Sequence, residues 1–375
     1  MKSINRVLEN RFSSFLFKGK ALILIGARQV GKTTFLQNLD YNRTKFLWLN
    51  ADEPQIRERL TNPTLQTLEN IIGQNKLVII DEIQRVKNVG LLLKLMVDNF
   101  KEVQFIATGS SALEISDSIF EPLTGRHFLF YLYPFSLAEL YPKSTPFQIE
   151  QTLSFHLIYG NYPEVVLRRD LSEVILKNLS NQYLYKDVLI WKNIRKPELL
   201  DKLLKLLAYQ ICSEVSINEL ANKLKVKSET VESYIDLLEK SYVIFRLKSF
   251  GTNQRKEVSK MSKIYFWDNG IRNAIINDFD DLEQRNDQGK LFENFMISER
   301  LKMNEWQGKN VKSYFWRNYN QNEVDYIEVY NKELYAFEMK WNTYKKLKIT
   351  RAFTNIYSDA KTEIITPQHF VPFIF

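Results

Sequence analysis

A single cysteine, Cys212, and three histidines, His127, His156 and His369, are all the chain has of those residues in 375 positions. One thiol cannot close an internal disulfide, so the fold rests on its cores and suits a reducing compartment. The same scarcity excludes a Cys/His zinc site. Long apolar runs are missing as well. The best stretch, HFLFYLYPFSLAEL from His127 to Leu140, falls short of the roughly 20 residues that a membrane-crossing helix needs, and Pro134 breaks it. The opening MKSINRVLENRF has no apolar segment of the signal-peptide kind. These absences predict a cytoplasmic protein with no membrane partner. No internal repeat or low-complexity tract interrupts the chain.

What is present has the balance of a globular protein, 45% hydrophobic and 26% charged. The length predicts two or three domains. A formal charge of +8 is compatible with DNA or another nucleic acid as a partner, and equally with none.

The most informative stretch is ALILIGARQVGKTT, Ala21 to Thr34. An apolar strand runs into Gly26, Ala27, Arg28, Gln29, Val30, Gly31, Lys32 and Thr33, the spacing G-x-x-x-x-G-K-[ST], with Thr34 opening a helix. In such a loop the main-chain N–H groups surround phosphates, the lysine reaches the outer ones and the hydroxyl binds Mg²⁺. The helix that follows points its partial positive end at the anion. ATP with Mg²⁺ is therefore the expected ligand.

Further apolar runs follow: FLWLNA, then KLVIIDEIQ, then VQFIATGSS, and LTGRHFLFYLYP. Runs without polar alternation suit parallel strands covered on both faces. Strands alternating with helices predict a doubly wound α/β sheet, with ligands at the carboxyl ends of the strands. At one such end Asp81 is expected to hold Mg²⁺ through its water shell, and Glu82 to orient or deprotonate the attacking water. Ser110 either senses the γ-phosphate or is an ordinary turn serine. Arg126 either neutralises transition-state charge, in cis or from a second copy in a homo-oligomer, or is a structural salt bridge.

Beyond residue 141 the pattern turns helical, with a break at YGNYP. From Glu198 to Phe250 the spacing predicts a winged helix: INELANKL, a turn, SETVESYIDLLEKS and the strand VIFRLKSF. Its second helix carries Glu229, Glu232, Asp236 and Glu239 against Lys240 alone, which opposes a phosphate backbone. Basic residues flank it at Lys223, Lys225, Lys227, Arg246, Lys248, Arg255 and Lys256. A non-specific wing contact or a structural role fits better than base reading.

The last section runs GKLFENFMISERLKM, VKSYFWR, EVDYIEVY, ELYAFEMKW, a helix around Tyr344 to Tyr357, and TEIITP. This α-β-β-β-α-β order is that of a restriction-endonuclease-like core. In a strand, Glu338 and Lys340 share a face. Asp325 lies on an otherwise apolar face, where a carboxylate is costly unless it binds a cation. Asp325 and Glu338 could hold Mg²⁺ or Mn²⁺, Glu293 could complete the shell, and Lys340 could steady the nucleophile. The alternative is a chance D…ExK pattern in a charged protein.

IGARQVGKTT, IIDEIQ, ATGSS, LTGR, YGNYPEVV, KIYFWDNGIRN, KLFENF, FWR, EVDYIEV and FEMKW together give the chain its likeness. It resembles bacterial and archaeal AAA+-like P-loop ATPases that carry a winged helix and a C-terminal nuclease-like domain of unassigned function. The resemblance implies ATP and Mg²⁺ binding, nucleotide contacts from Gly31, Lys32 and Thr33, and hydrolysis served by Asp81 and Glu82. The expected architecture is a P-loop NTPase doubly wound parallel sheet (1–141), a helical lid (142–197), a winged helix (198–255) and a restriction-endonuclease-like α/β domain (256–375). Two functions are expected to compete: an ATPase whose nucleotide state controls a metal-dependent nuclease, and a non-cleaving regulatory ATPase whose last domain is a binding platform for protein or nucleic acid.

Overall fold

The computed structural model describes residues 4–41, 44–109, 121–191, 197–251, 262–343 and 348–375, with the backbone alone for 182–191. The chain forms two compact units, Met1–Tyr133 with Lys240–Tyr242, and Pro134–Glu239 with Val243–Phe375.

In the first unit, β1 (Ala21–Ile25), β2 (Phe46–Asn50), β3 (Leu77–Asp81), β4 (Gln104–Gly109) and β5 (His127–Tyr131) make a sheet in the order β2-β3-β4-β1-β5. Every neighbouring pair is parallel. The three central strands are buried at every position and the two edge strands are not. This is why the central strands read as unbroken apolar runs. Val78, Ile80, Ala107, Leu92, Leu93 and Met96 share one core, which ties β3 and β4 to the helix Val89–Asn99. Because the strands are parallel, Ile25, Asp81 and Gly109 end on one edge of the sheet. The order also inserts β4 between the strand that feeds the glycine loop and the strand that ends in Asp81.

The second unit holds β6 (Ser213–Val215), β7 (Ile244–Ser249), β8 (Ser262–Phe266), β9 (Lys312–Arg317), β10 (Glu323–Tyr330), β11 (Glu333–Met339) and β12 (Lys361–Ile365). They form one sheet, β12-β11-β10-β9-β7-β8-β6. The seam is a parallel pairing of β7 with β9, Lys248 opposite Tyr314. The sheet therefore runs on across the boundary expected near residue 255. The helical stretch expected as a lid, with its helices Pro146–Tyr159, Pro163–Leu167, Ser172–Trp191 and Pro197–Tyr209, also belongs to this unit. The expected helix around Tyr344–Tyr357 is shorter, Arg351–Thr354, and residues 344–347 lie outside the described ones.

Buried polar ties explain that membership. Asp268 caps the helix Asn269–Ile276, accepting from the Ile271 amide at 3.0 Å and from the Asn161 amide at 2.6 Å. Asn273 donates to the Ile158 carbonyl at 2.8 Å, Asn269 to that of Leu291 at 2.9 Å, and Arg272 Nε to that of Ala208 at 2.8 Å. Asn294, on the helix Gln288–Trp306, takes the Phe266 amide at 2.7 Å. Buried groups of this kind must be paired, so YGNYP, WDNGIRN and KLFENF read as one fastening rather than as three sites.

His156 sits inside it, with Nδ1 2.6 Å from Asn161 Oδ1 and Nε2 2.8 Å from the Tyr141 hydroxyl. Burial pushes its imidazole down to about 4. Above its ordinary value of 6.5 both folded and unfolded chains keep it neutral. Between there and about 4 only the unfolded chain takes the proton, so stability falls as pH falls, by about 3 kcal/mol in all. Denaturant unfolding followed from pH 7 to 4 is expected to show this loss in the wild type and a correspondingly flatter profile in His156→Gln.

Candidate functional site

The loop after β1 is shaped by two glycines. A Cβ on Gly26 would meet the Leu132 carbonyl oxygen at 2.1 Å, so the loop can lie against the chain after β5 only with glycine there. Gly31 has φ +93°, in the left-handed region where side chains are strained. It starts the helix Lys32–Asn38. Lys32 is buried and folds back over the loop, donating to the Gly26 and Ala27 carbonyls at 3.0 Å each. An ammonium held there lies among the loop amides that face phosphates in such a motif.

Asp81 is the hub of the site. One carboxylate oxygen accepts from the Thr33 hydroxyl at 2.9 Å and the other from the Thr108 hydroxyl. The Thr108 oxygen in turn accepts from the Glu82 amide at 3.1 Å. Glu82 has φ +55°, an uncommon conformation for a carboxylate side chain, and Gln84 donates to it. Thr33, Asp81, Glu82 and Thr108 are thus one hydrogen-bonded group at the carboxyl edge of the sheet. A hydroxyl and a carboxylate side by side are the hard oxygen donors that Mg²⁺ takes, so this pair fits such an ion.

Thr108 was not singled out by the sequence. Its signal is the strand order, which sets β4 against β3 with Ala107 opposite Ile80. Ser110, two residues on, lies outside the described residues. Arg126 is not brought to the loop. It precedes β5, and its carbonyl accepts from the Ala21 amide at 2.9 Å, which puts it on the amino edge of the parallel sheet. At about 3.3 Å per strand residue that is roughly 15 Å from the loop. Its guanidinium donates to Asp98 at 2.7 Å, and this pairing pulls the Asp98 carboxyl below its usual range. The pairing with Asp98 is the salt bridge expected as the alternative to charge neutralisation.

The C-terminal carboxylates gather at the seam sheet, with a partner the sequence did not offer. Lys263 on β8 is 1% exposed. Its ammonium lies 3.2 Å from Glu293 Oε1 and pairs with Glu323. Tyr265 donates to Glu293 at 2.8 Å. Asp325 accepts from the Met339 amide at 2.8 Å, and Lys340 lies 2.5 Å from Glu338 Oε1. Burial opposes the Lys263 charge, but Glu293, Asp325 and Glu323 outweigh it and raise its pKa. Burial also pushes Glu293 up to about 8, and burial with the neighbouring Asp325 pushes Glu338 up to about 7. Among the described residues no three His, Cys, Asp or Glu side chains are grouped so that they could hold a metal ion. The Lys263 ammonium lies against two of the neighbouring carboxylates, Glu293 and Glu323. The overlooked signal was a lysine inside the apolar strand KIYF.

Arg246, counted among the basic residues beside the acidic helix Ser228–Lys240, is taken up by that helix. It donates to Glu239 at 2.8 Å and to Asp236 at 2.7 Å. Lys223 is likewise paired with Glu219 at 2.6 Å. Arg255 and Lys256 lie outside the described residues. Among the described residues no helix is long and apolar enough to cross a membrane.

The profile of an AAA domain matches residues 18–141, and profiles of two domains of unknown function match 150–282 and 288–371. An uncharacterized protein of Methanocaldococcus jannaschii is 26% identical over 96% of this chain and 83% of its own. One of Mycobacterium tuberculosis is 25% identical over 88% and 72%. The Walker-type ATPase of Pyrococcus abyssi has a similar fold, with TM-score 0.50 at 15% identity, covering 73% of this chain and 96% of that one. The first unit is thus an α/β domain with a parallel sheet resembling that of a P-loop ATPase, and the AAA match supports ATP binding.

Thr108→Val keeps the shape of the side chain and removes both hydrogen bonds. It is expected to leave ATP affinity near wild type while lowering turnover by about 10²-fold, the scale of one lost preorganised donor; Thr108→Ser is expected to restore most of it, measured by steady-state phosphate release.

Proposed function

We propose that the chain is a Mg²⁺-dependent ATPase whose nucleotide state controls a nuclease-like unit that serves as a binding platform and does not cut nucleic acid. The observation that carries the first half is the Asp81 carboxylate fixed between the hydroxyls of Thr33 and Thr108. Main-chain amides from Gly26 to Thr34 enclose the phosphates, and Lys32 neutralises the outer ones. Thr33 and Asp81 would hold Mg²⁺, which would neutralise charge on the phosphates. Glu82, aimed by its own backbone conformation and by Thr108, orients the attacking water and receives its proton. Arg126 acts, if on phosphate at all, on that of a second copy in a homo-oligomer.

For the second half, the support is Lys263 among the carboxylates and Arg246 consumed by the acidic helix. The stretch from β6 to β8 is read as a winged helix in a structural role, and the stretch from Gln288 onward as a restriction-endonuclease-like scaffold. A second reading, cleavage of DNA, draws on the close Glu338–Lys340 pair. The two readings differ in one assay. Wild type, Lys32→Ala and Lys340→Ala are each given ATP and plasmid DNA with Mg²⁺ or Mn²⁺. Lys32→Ala is expected to lose nucleotide binding or hydrolysis, and no variant is expected to cut. Turnover by Lys32→Ala equal to wild type contradicts the ATPase assignment, and cutting that Lys340→Ala abolishes favours the nuclease.

A further inference from the structure

Four carboxyl groups, Glu293, Glu323, Asp325 and Glu338, come from one helix and two adjacent strands of the seam sheet. Such a crowd needs positive charge. Where a divalent ion would supply it in a metal site, here the chain supplies it itself. Lys263 reaches Glu293 and Glu323 directly, and Asp325 is among the carboxylates that act on its charge. Further groups meet the cluster: Tyr265 donates to the same Glu293 oxygen that Lys263 reaches, Arg317 lies 3.3 Å from Glu323, Met339 donates to Asp325 and Lys340 to Glu338. The ammonium is also packed 5.5 Å from the centre of the Phe315 ring, so neighbouring apolar surface fixes its place.

One oxygen stands apart. Glu338 Oε2 is buried and has no hydrogen-bond partner among the described residues, on a side chain whose residue is 8% exposed. A buried acceptor without a donor is costly, and an oxygen of this kind is a ligand in waiting for a hard cation. A cavity of about 440 Å³ is lined by Lys263, Arg317 and Glu323 together with Glu214 and Glu219, so the Lys263 side of the cluster borders open space.

We propose that the Lys263 ammonium is the resident cation of this cluster, standing where a divalent ion would have to bind, and that the carboxylates become a divalent-cation site only when that side chain is removed. The inference rests on the platform reading above and gives it a cause: a fixed monovalent charge neutralises Glu293 and Glu323 but has no coordination position for water or a phosphate oxygen. Repulsion between the ammonium and an incoming divalent ion excludes the ion.

The test is Mn²⁺ binding to the full chain without nucleotide, read from the resonance of free Mn²⁺ and from the Mn²⁺-induced shift in thermal midpoint. Wild type and Lys263→Arg are expected to have no site that Asp325→Asn removes, whereas Lys263→Ala gains one that Asp325→Asn abolishes. Comparison with wild type subtracts ions held near Asp81. If the alanine variant does not fold, Lys263→Gln, uncharged and of similar length, carries the same comparison. An Asp325-dependent Mn²⁺ site in wild type overturns the inference, and so does a folded Lys263→Ala or Lys263→Gln that gains none. A parallel DNA-cleavage assay separates the two claims. Absence of a gained site with no cutting by wild type sinks the inference alone. Mn²⁺-dependent cutting by wild type sinks the platform reading with it.

Discussion

The Asp81 carboxylate is held from both sides, by a hydroxyl from the helix after the glycine loop and by a hydroxyl from the end of β4. The first unit is arranged to make that grip. It requires β4 to lie between β1 and β3, and it requires the three central strands to end in register on one edge. It also requires the loop to sit close against the chain after β5, which only glycine at position 26 allows. Hydrogen bonds to an ionised acceptor are among the stronger ones, and an aspartate gripped in this way cannot swing away from where a cation would lie. The strain in Glu82 belongs to the same arrangement, because its amide is tied to Thr108 while Gln84 donates to its carboxylate.

The second unit depends on polar pairing of a different kind. Asp268, Asn161, Asn269, Asn273 and Asn294 are buried and bonded mainly to backbone. They fasten the helical stretch to the helix that bears Glu293. Satisfied networks specify one arrangement because each alternative leaves a buried group unpaired. The Lys263 cluster continues the theme: charge at the seam of the sheet is met by charge from the chain itself.

Much of this was legible in the sequence. The glycine loop, the Asp81–Glu82 strand end and the strand–helix alternation all follow from local spacing, and the bounds of β10 and of the helix Ile217–Leu224 coincide with the sequence expectation. What escaped is non-local. Thr108 matters because of which strand neighbours which, and periodicity does not encode strand order. Lys263 acquires its partners only because β8 lies in the same sheet as β10. The pairing of β7 forward to β9, across the expected boundary near residue 255, is of the same non-local kind. Arg126 offered either charge neutralisation or a salt bridge in the sequence, and only the direction of β5 sets it on the amino edge of the sheet beside Asp98.

The account rests centrally on Glu82 acting on water beside a separately fixed phosphate cradle. Glu82→Gln tests this directly, by comparing MgATP binding with single-turnover hydrolysis. The account predicts affinity within a few-fold of wild type and hydrolysis slower by about 10²-fold or more, as expected when a catalytic base is neutralised. Hydrolysis at the wild-type rate would contradict it.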